Sequence, residues 1–215
     1  MKKLFISKDL KELSQLPSFC QRNDIELIAS SLIHFEPILF KTEYVYDVIF
    51  FSSIRSATFF LEQATIPSGI KIACIGDTTS KKLVKKGFNI SFRGKKSGNP
   101  DEVGHEFLKW LGDRKVLIPC SKQSKRTIGS VIPSNQLQEI AVYQTLSDCK
   151  SITVCDFYVF TSPSNLESFL SCNPKPEGVI IAWGSTTKKA MLDKGIIPSI
   201  TLENSNEEEV IHYLL

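Results

Sequence analysis

The chain has no long hydrophobic run and few of the residues that mark a metal or cofactor site. Its three histidines, His34, His105 and His212, fall one to a segment with no HExxH or paired spacing, so a metal centre is not expected. Six cysteines, at 20, 74, 120, 149, 155 and 172, lack any CxxC spacing, and Cys74 falls inside an apolar strand. They read as free thiols in a reducing compartment. Neither GxGxxG nor GxxxxGKS/T occurs, which argues against a dinucleotide or P-loop site. Lysine and arginine (26) barely exceed aspartate and glutamate (23), and no long basic run is present, so nucleic acid is not an expected partner. The short basic clusters read as solvated helix faces, except Lys122 and Arg126, which follow a strand end and are placed to meet an anion. The first apolar run, Leu4 to Ile6, is far shorter than a signal peptide or membrane span. The expected location is cytoplasmic, away from any membrane.

What is present is an ordinary globular composition used twice over. At 215 residues with 42% hydrophobic and 23% charged residues, the chain can build two small domains. The stretch Asp47-Val-Ile-Phe-Phe-Ser52-Ser53 leads through an apolar strand at 71–75 to Gly76-Asp-Thr78-Thr79 and Gly87. Asp156-Phe-Tyr-Val-Phe-Thr161-Ser162 leads through 178–182 to Gly184-Ser-Thr186-Thr187 and Gly195. The first motif recurs 109 positions on and the second 108, a drift of one residue, so the chain contains a duplication.

Each copy reads as strand, polar turn, helix, strand, polar turn, helix. Continuous apolar, β-branched and aromatic runs suit strands buried on both faces of a parallel sheet. Ser53 and Ser162 are N-cap candidates, the second with Pro163 at the first helical position. Gly87 and Gly195 fall where a left-handed residue would close the following helix. All these turns lie at the carboxyl edge of a sheet, where open α/β sheets bind ligands. Asp47 and Asp156 begin strands, which disfavours a pair of signalling domains phosphorylated at a strand end.

A shorter unit precedes each long one. Lys3 to Ser7 is a strand, followed by a helix carrying Leu10, Leu13 and Leu16 and by a strand over 25–33; a connector at 34–46 comes next. The same pattern returns at Arg114 to Ser121, and Gln138 to Thr145 is a second extended stretch. In the helix after the loop at 94–100, Val103, Phe107, Trp110 and Leu111 form a core-facing stripe. Glu207, Glu208 and Glu209 stand at the start of the last helix, against its own positive end. Two assemblies fit: contiguous domains of about 1–112 and 113–215, or an inserted domain whose chain crosses twice near 34–40 and 139–146. The residues alone leave that choice open.

The strand ends Phe51-Ser52-Ser53 and Phe160-Thr161-Ser162-Pro163-Ser164, the paired Gly-x-Thr-Thr turns and Ala141-Val-Tyr143-Gln-Thr together resemble the uroporphyrinogen-III synthase family, in the right order over essentially the full chain. Lys8 (where arginine is frequent), Trp183 and Cys120-Ser121 depart from the family's usual residues. The resemblance implies two flavodoxin-like, doubly wound parallel-sheet domains, 1–36 plus 146–215 and 37–145, joined by a two-stranded linker with the active site in the interdomain cleft. It implies a cofactor-free monomer that converts hydroxymethylbilane, a linear tetrapyrrole with eight carboxylates, into uroporphyrinogen III. Helix starts rich in free N–H groups are suited to such a polyanion. The expected binding residues are Lys8, Ser52, Ser53, Arg55, Gly76, Thr78, Thr79, Lys122, Ser162, Ser164, Gly184, Thr186 and Thr187. Tyr143 matches the family's tyrosine and is the expected hydrogen-bond donor to the departing hydroxyl. The competing expectation is a non-enzymatic two-lobed protein that binds an anionic small molecule.

Overall fold

The computed structural model describes residues 1–41, 43–96 and 98–215; Thr42 of the connector and Ser97 of the 94–100 loop lie outside the described residues. In chain order the elements are β1 (Lys2–Ile6), α1 (Leu16–Arg22), β2 (Ile25–Ala29), β3 (Ile33–Pro37), β4 (Val48–Phe51), α2 (Ile54–Leu61), β5 (Lys71–Cys74), α3 (Asp77–Lys85), β6 (Ile90–Arg93), α4 (Pro100–Leu111), β7 (Val116–Ser121), β8 (Leu137–Ser147), β9 (Phe157–Phe160), α5 (Pro163–Cys172), β10 (Val179–Ala182), α6 (Ser185–Asp193), β11 (Ile200–Thr201) and α7 (Glu207–Leu214). They form two compact units, the first from Met1–His34 with Leu146–Leu215, the second from Phe35–Thr145. β3 and β8 carry the chain across the boundary. Ile38 N–H donates to Val142 O and Asp148 N–H to Leu32 O. Residue numbers rise on one strand as they fall on the other, so these two strands run antiparallel.

The first unit's sheet runs β2-β1-β9-β10-β11, and its strand pairings are all parallel. The second runs β8-β7-β4-β5-β6, also parallel, with β3 added beyond β8. The orders are the same once β7 and β8 are matched to β1 and β2. Alternate side chains of one strand enter different cores. Ile49 and Phe51 of β4 pack with α2 and α3 residues Phe60 and Leu83, whereas Val48 and Phe50 pack with Val103 and Phe107 of α4. Phe5 and Phe160 likewise meet Phe169 and Met191, while Leu4 and Val159 meet Phe19 and Val210. Both sheets are therefore buried on two faces at their centres, which is why inner strands such as β4 and β9 are apolar without alternation. Each fully buried phenylalanine contributes roughly 1.5–3 kcal/mol to this layering.

Three expectations need correction, and a fourth holds with an added role. The strand expected over 25–33 is two strands, broken at Ser30 and Ser31. Ser31 N–H donates to Asp9 and Leu32 N–H to the Asn165 side chain, which turns the chain out of one sheet and into the other. The helix expected to leave Asp9 is only a 3₁₀ turn at Leu10–Glu12, and α1 starts at Leu16 with Pro17 in its first turn. Glu207, Glu208 and Glu209 do stand in the first turn of α7, but the hydrogen bonds of Glu207 go elsewhere. Its carboxylate accepts the N–H groups of Ser14, Gln15 and Leu16, so it caps α1 and ties α7 to it. α7 is capped instead by Asn206, which accepts from Glu209 N–H. Finally, the cysteines are not all free: Cys149, just past β8, is joined to Cys172 at the end of α5, 23 residues on, leaving Cys20, Cys74, Cys120 and Cys155 as buried thiols. The fold brings these two together without the short spacing by which a sequence announces a pair. Among the described residues no helix is long and apolar enough to cross a membrane.

Candidate functional site

The expected site residues lie at the carboxyl edges of the two sheets, and the duplication extends to their backbone angles. Ser53 and Ser162 both have φ −160° and ψ 158°, and each accepts the N–H three residues on, at Ser56 and Asn165. These serines are true N-caps, which occupies their hydroxyls. The next pair of turns differs. Gly76 and Gly184 stand at the N-cap position in extended backbone with no side-chain cap, so Asp77, Thr78 and Thr79, and likewise Ser185, Thr186 and Thr187, bring first-turn N–H groups that have no acceptor within the helix. Thr78 and Thr186 are exposed, but the side chains of Thr79 and Thr187 are buried, at 7% and 3% exposure. What Thr79 and Thr187 can offer a ligand is backbone N–H. Both helices close as expected, on Gly87 (φ 89°) and Gly195 (φ 67°).

In the second unit Tyr143 lies near the end of β8, opposite Ser121 of β7, and its carbonyl accepts Lys122 N–H. Its ring stacks on Phe59 at 5.1 Å and meets the edge of Phe35 at 6.0 Å. The Arg55 guanidinium covers the other ring of this group, 3.6 Å from the Phe35 centroid. Arg55 and Lys122 are exposed. Thus Arg55, Tyr143, Ser52, Ser53 and Lys122 are furnished by adjoining strands β4, β7 and β8 and the start of α2. Ser52 also lines a cavity of about 150 Å³ with Cys120, Arg126 and Glu139.

In the first unit Lys8 follows β1 and sits 5.4 Å from the Trp183 ring, at a cavity of about 320 Å³ bounded by Gln15, Ser205 and Asn206. Ser162 and Ser164 open α5, and Gly184, Thr186 and Thr187 open α6. Among the described residues no group of three His, Cys, Asp or Glu side chains is placed to hold a metal ion.

Two features escaped the sequence reading. Glu139, in the alternating stretch of β8, turns a carboxylate into the sheet's buried face. The usable signal is its repeat position: register matches it to Ala29 of β2. Asn165 is buried and holds both Leu32 N–H and the Ser162 hydroxyl. An asparagine one turn into a helix looks in sequence like any capping neighbour.

Comparison with known proteins sets the chain as a whole in a family context. A family model described as uroporphyrinogen-III synthase HemD matches residues 13–212. The structure of a uroporphyrinogen-III synthetase from Helicobacter pylori is similar to this chain with a TM-score of 0.71 at 18% identity, over 100% of both chains. A mutant uroporphyrinogen III synthase from the extremely thermophilic bacterium Thermus thermophilus gives a TM-score of 0.65 at 10% identity, over 100% of this chain and 97% of that one. At such identities the structural likeness speaks for the fold. No match is found among curated proteins.

Proposed function

This chain belongs to the uroporphyrinogen-III synthase family, and from that membership we propose that it cyclises hydroxymethylbilane to uroporphyrinogen III, losing water and inverting the last pyrrole ring. The observation that carries the reading is the family match across residues 13–212. The doubly wound, flavodoxin-like character of both units belongs to the same proposal, as does an active site in a cleft served by the carboxyl-edge turns of each.

The reaction asks for grip and orientation more than for reactive side chains. Expulsion of the terminal hydroxyl is driven by the electron-rich pyrrole, and an acid that hydrogen-bonds the departing oxygen lowers the barrier. Tyr143 fills that role in our reading, its phenol being a hydrogen-bond donor. The ring stack on Phe59 fixes the direction of the phenol. The substrate's carboxylates are taken by the uncapped starts of α3 and α6, where Gly76 and Gly184 leave N–H groups free, with help from Thr78, Thr186, Arg55, Lys122 and Lys8. Ser52, Ser53, Ser162 and Ser164 shape the neighbouring turns. Held this way, the substituted carbon of the last ring attacks and a spiro intermediate forms. Orientation of this kind can supply about 7–11 kcal/mol at its upper end. No cofactor is called for, and a monomer suffices because each unit brings its own set of turns.

The test is incubation with enzymatically made hydroxymethylbilane, followed by chromatographic separation of the III and I isomers. Accumulation of isomer III is expected. Isomer I alone, as in a blank, overturns the proposal and leaves a binding protein for an anionic small molecule.

A further inference from the structure

The two sheets differ most where their strand order reverses, between the first and third strands of each repeat. Open α/β sheets bind ligands at this switch point. In the first unit the gap between β1 and β9 is closed. Leu4, Phe5 and Ile6 pair with Phe157, Tyr158 and Val159, and Ser7 N–H continues the ladder to Val159 O. Thr161 N–H then donates to Ser7 Oγ and Thr161 Oγ1 to Ser7 O, which ties the two strand ends together.

In the second unit the register places Pro119 where the first has Ser7. Proline has no N–H to continue a ladder. Pairing between β4 and β7 stops after Val48 with Val116 and Ile49 with Leu117, and Ser52 replaces Thr161. The ladder ends early, and the cavity of about 150 Å³ lies beside it, walled by Ile75, Ile118 and Ile128 and reached by Ser52 and Cys120.

Glu139 supplies this cavity's one carboxylate, on a lining that also carries Lys125 and Arg126. Its side chain is only 10% exposed. The carboxylate rests on Gly129 so closely that a Cβ at that position would collide with Oε1, so the small residue makes the room. Arg126, in left-handed backbone at φ 55°, reaches Oε2 at 3.5 Å, and among the described residues the carboxylate accepts no hydrogen bond. A nine-tenths buried carboxylate with open lone pairs requires donors. The first unit has Ala29 at this position, so the fold itself does not need an acid there. Burial pushes the Glu139 carboxyl up, and the Arg126 guanidinium pulls it back. Burial, reinforced by the Glu139 charge, pushes the Cys120 thiol up to about 11, which leaves Cys120 neutral.

We propose that this switch-point cavity is a subsite for a single five-membered ring bearing an N–H, and that Glu139 accepts the hydrogen bond from that N–H. The cavity is below the roughly 300–1,000 Å³ of a drug-sized site, so it takes one ring and not a tetrapyrrole. Its apolar walls suit a ring's faces, and its carboxylate suits a donor at the ring's edge. Resting on the proposed function, the ring is a pyrrole of the substrate. When the C–O bond breaks, the oxygen departs with its electron pair and a proton as water, and the ring nitrogen's lone pair forms a C=N bond. The N–H is left with the positive charge, and Glu139 stabilises it without taking the proton. The proton used is returned to solvent when the ring system regains its aromatic form.

The test separates the cavity from the reaction. Pyrrole, imidazolium and furan are titrated separately into the full chain while backbone amide resonances are followed by NMR. Pyrrole and imidazolium should shift Ser52, Gly129 and Glu139, whereas furan, the same shape without N–H, should not. E139Q should weaken imidazolium at least 10-fold while the melting temperature holds. Equal shifts from furan and pyrrole, or unchanged imidazolium affinity in E139Q, overturn the subsite. With hydroxymethylbilane, E139Q should lower kcat at least 10-fold with KM within about 3-fold, and an unchanged kcat removes the substrate's pyrrole as the occupant. If the native chain yields only isomer I yet discriminates pyrrole from furan, the cyclase reading falls and the N–H subsite stands.

Discussion

At the amino edges of their sheets the two units are near-copies; at the carboxyl edges the cap turns agree, but the strand ends where the strand order reverses do not. Asp156 Oδ2 accepts Lys3 N–H at 2.7 Å, and Asp47 Oδ2 accepts Lys115 N–H at 2.8 Å. Gly87 and Gly195 close α3 and α6 with the same bonds, Phe88 N–H to Leu83 O and Ile196 N–H to Met191 O. At the carboxyl edge the first unit spends its polar groups on itself, through Ser7, Thr161, Asn165 and Ser162. The second unit instead lays the exposed Arg55 over an aromatic group of Phe35, Phe59 and the buried Tyr143, with exposed Lys122 beside it, and keeps a carboxylate in an open cavity. A duplicated frame keeps what holds strands and helices in place. The ends that meet ligands diverge, because stability does not fix them.

The most severe test of that contrast is Tyr143→Phe. The ring stack on Phe59 survives the change, so the fold and melting temperature should hold while turnover of hydroxymethylbilane falls at least about 10-fold, the rate equivalent of about 1.4 kcal/mol. Near-normal kinetics in a ring-closure assay would remove the phenol from the mechanism. Next in size is a pair of stability variants. Asn165→Ala strands the buried Leu32 N–H and removes the side-chain amide bond to Ser162 Oγ, leaving the backbone cap bond in place, for a loss of about 1–3 kcal/mol. Ser56→Ala, at the matching position, loses a bond to Ser53 O and a long one from the Ser53 hydroxyl, both within its own helix start, and should cost under about 1 kcal/mol. Denaturant melts showing equal losses would mean that the first unit's hydrogen-bond knot contributes no more than an ordinary cap.

How far the sequence foretold this depends on what kind of signal each part leaves. The buried strands announce themselves because a strand covered on both faces is apolar at every position, as in Val48–Phe51 and Phe157–Phe160. The serine caps and closing glycines are legible because their chemistry is local. The break at Ser30 and Ser31 was not, since it depends on Asp9 and Asn165, 22 and 133 residues away from their partners. The same holds for the Cys149–Cys172 pair and for Glu207, which caps a helix 191 residues earlier in the chain. At the candidate site, residue types alone put Thr78 and Thr79 together. Helix phase then exposes one and buries the other.

Glu207 offers a smaller test of how the first unit is tied. Burial pushes its carboxyl up, but the N–H groups of Leu16, Gln15 and Ser14 and the Ser14 hydroxyl outweigh that and hold it below the usual carboxylate range. A carboxyl depressed in the folded state adds stability that is full above its unfolded pKa, about 4.3, and is lost as pH falls through the lower folded value. Glu207→Gln should therefore cost about 1 kcal/mol at pH 7, toward the low side for a cap because the group is partly solvated. Against the native chain, that difference should shrink as the pH drops below about 4. A difference independent of pH would assign the contact to packing instead of charge.

The finest distinction lies where the copies agree. Asp47→Asn and Asp156→Asn each remove a charge-assisted bond from the backbone N–H of a neighbouring strand, at Lys115 and Lys3. Each should cost about 0.5–1.5 kcal/mol, and the two losses should match within about 0.5 kcal/mol. Because the residues sit in separate units and share no partner, the double variant should show the simple sum. Unequal losses, read from denaturant midpoints at constant slope, would place divergence at the amino edge as well and break the division between a kept frame and a changed rim.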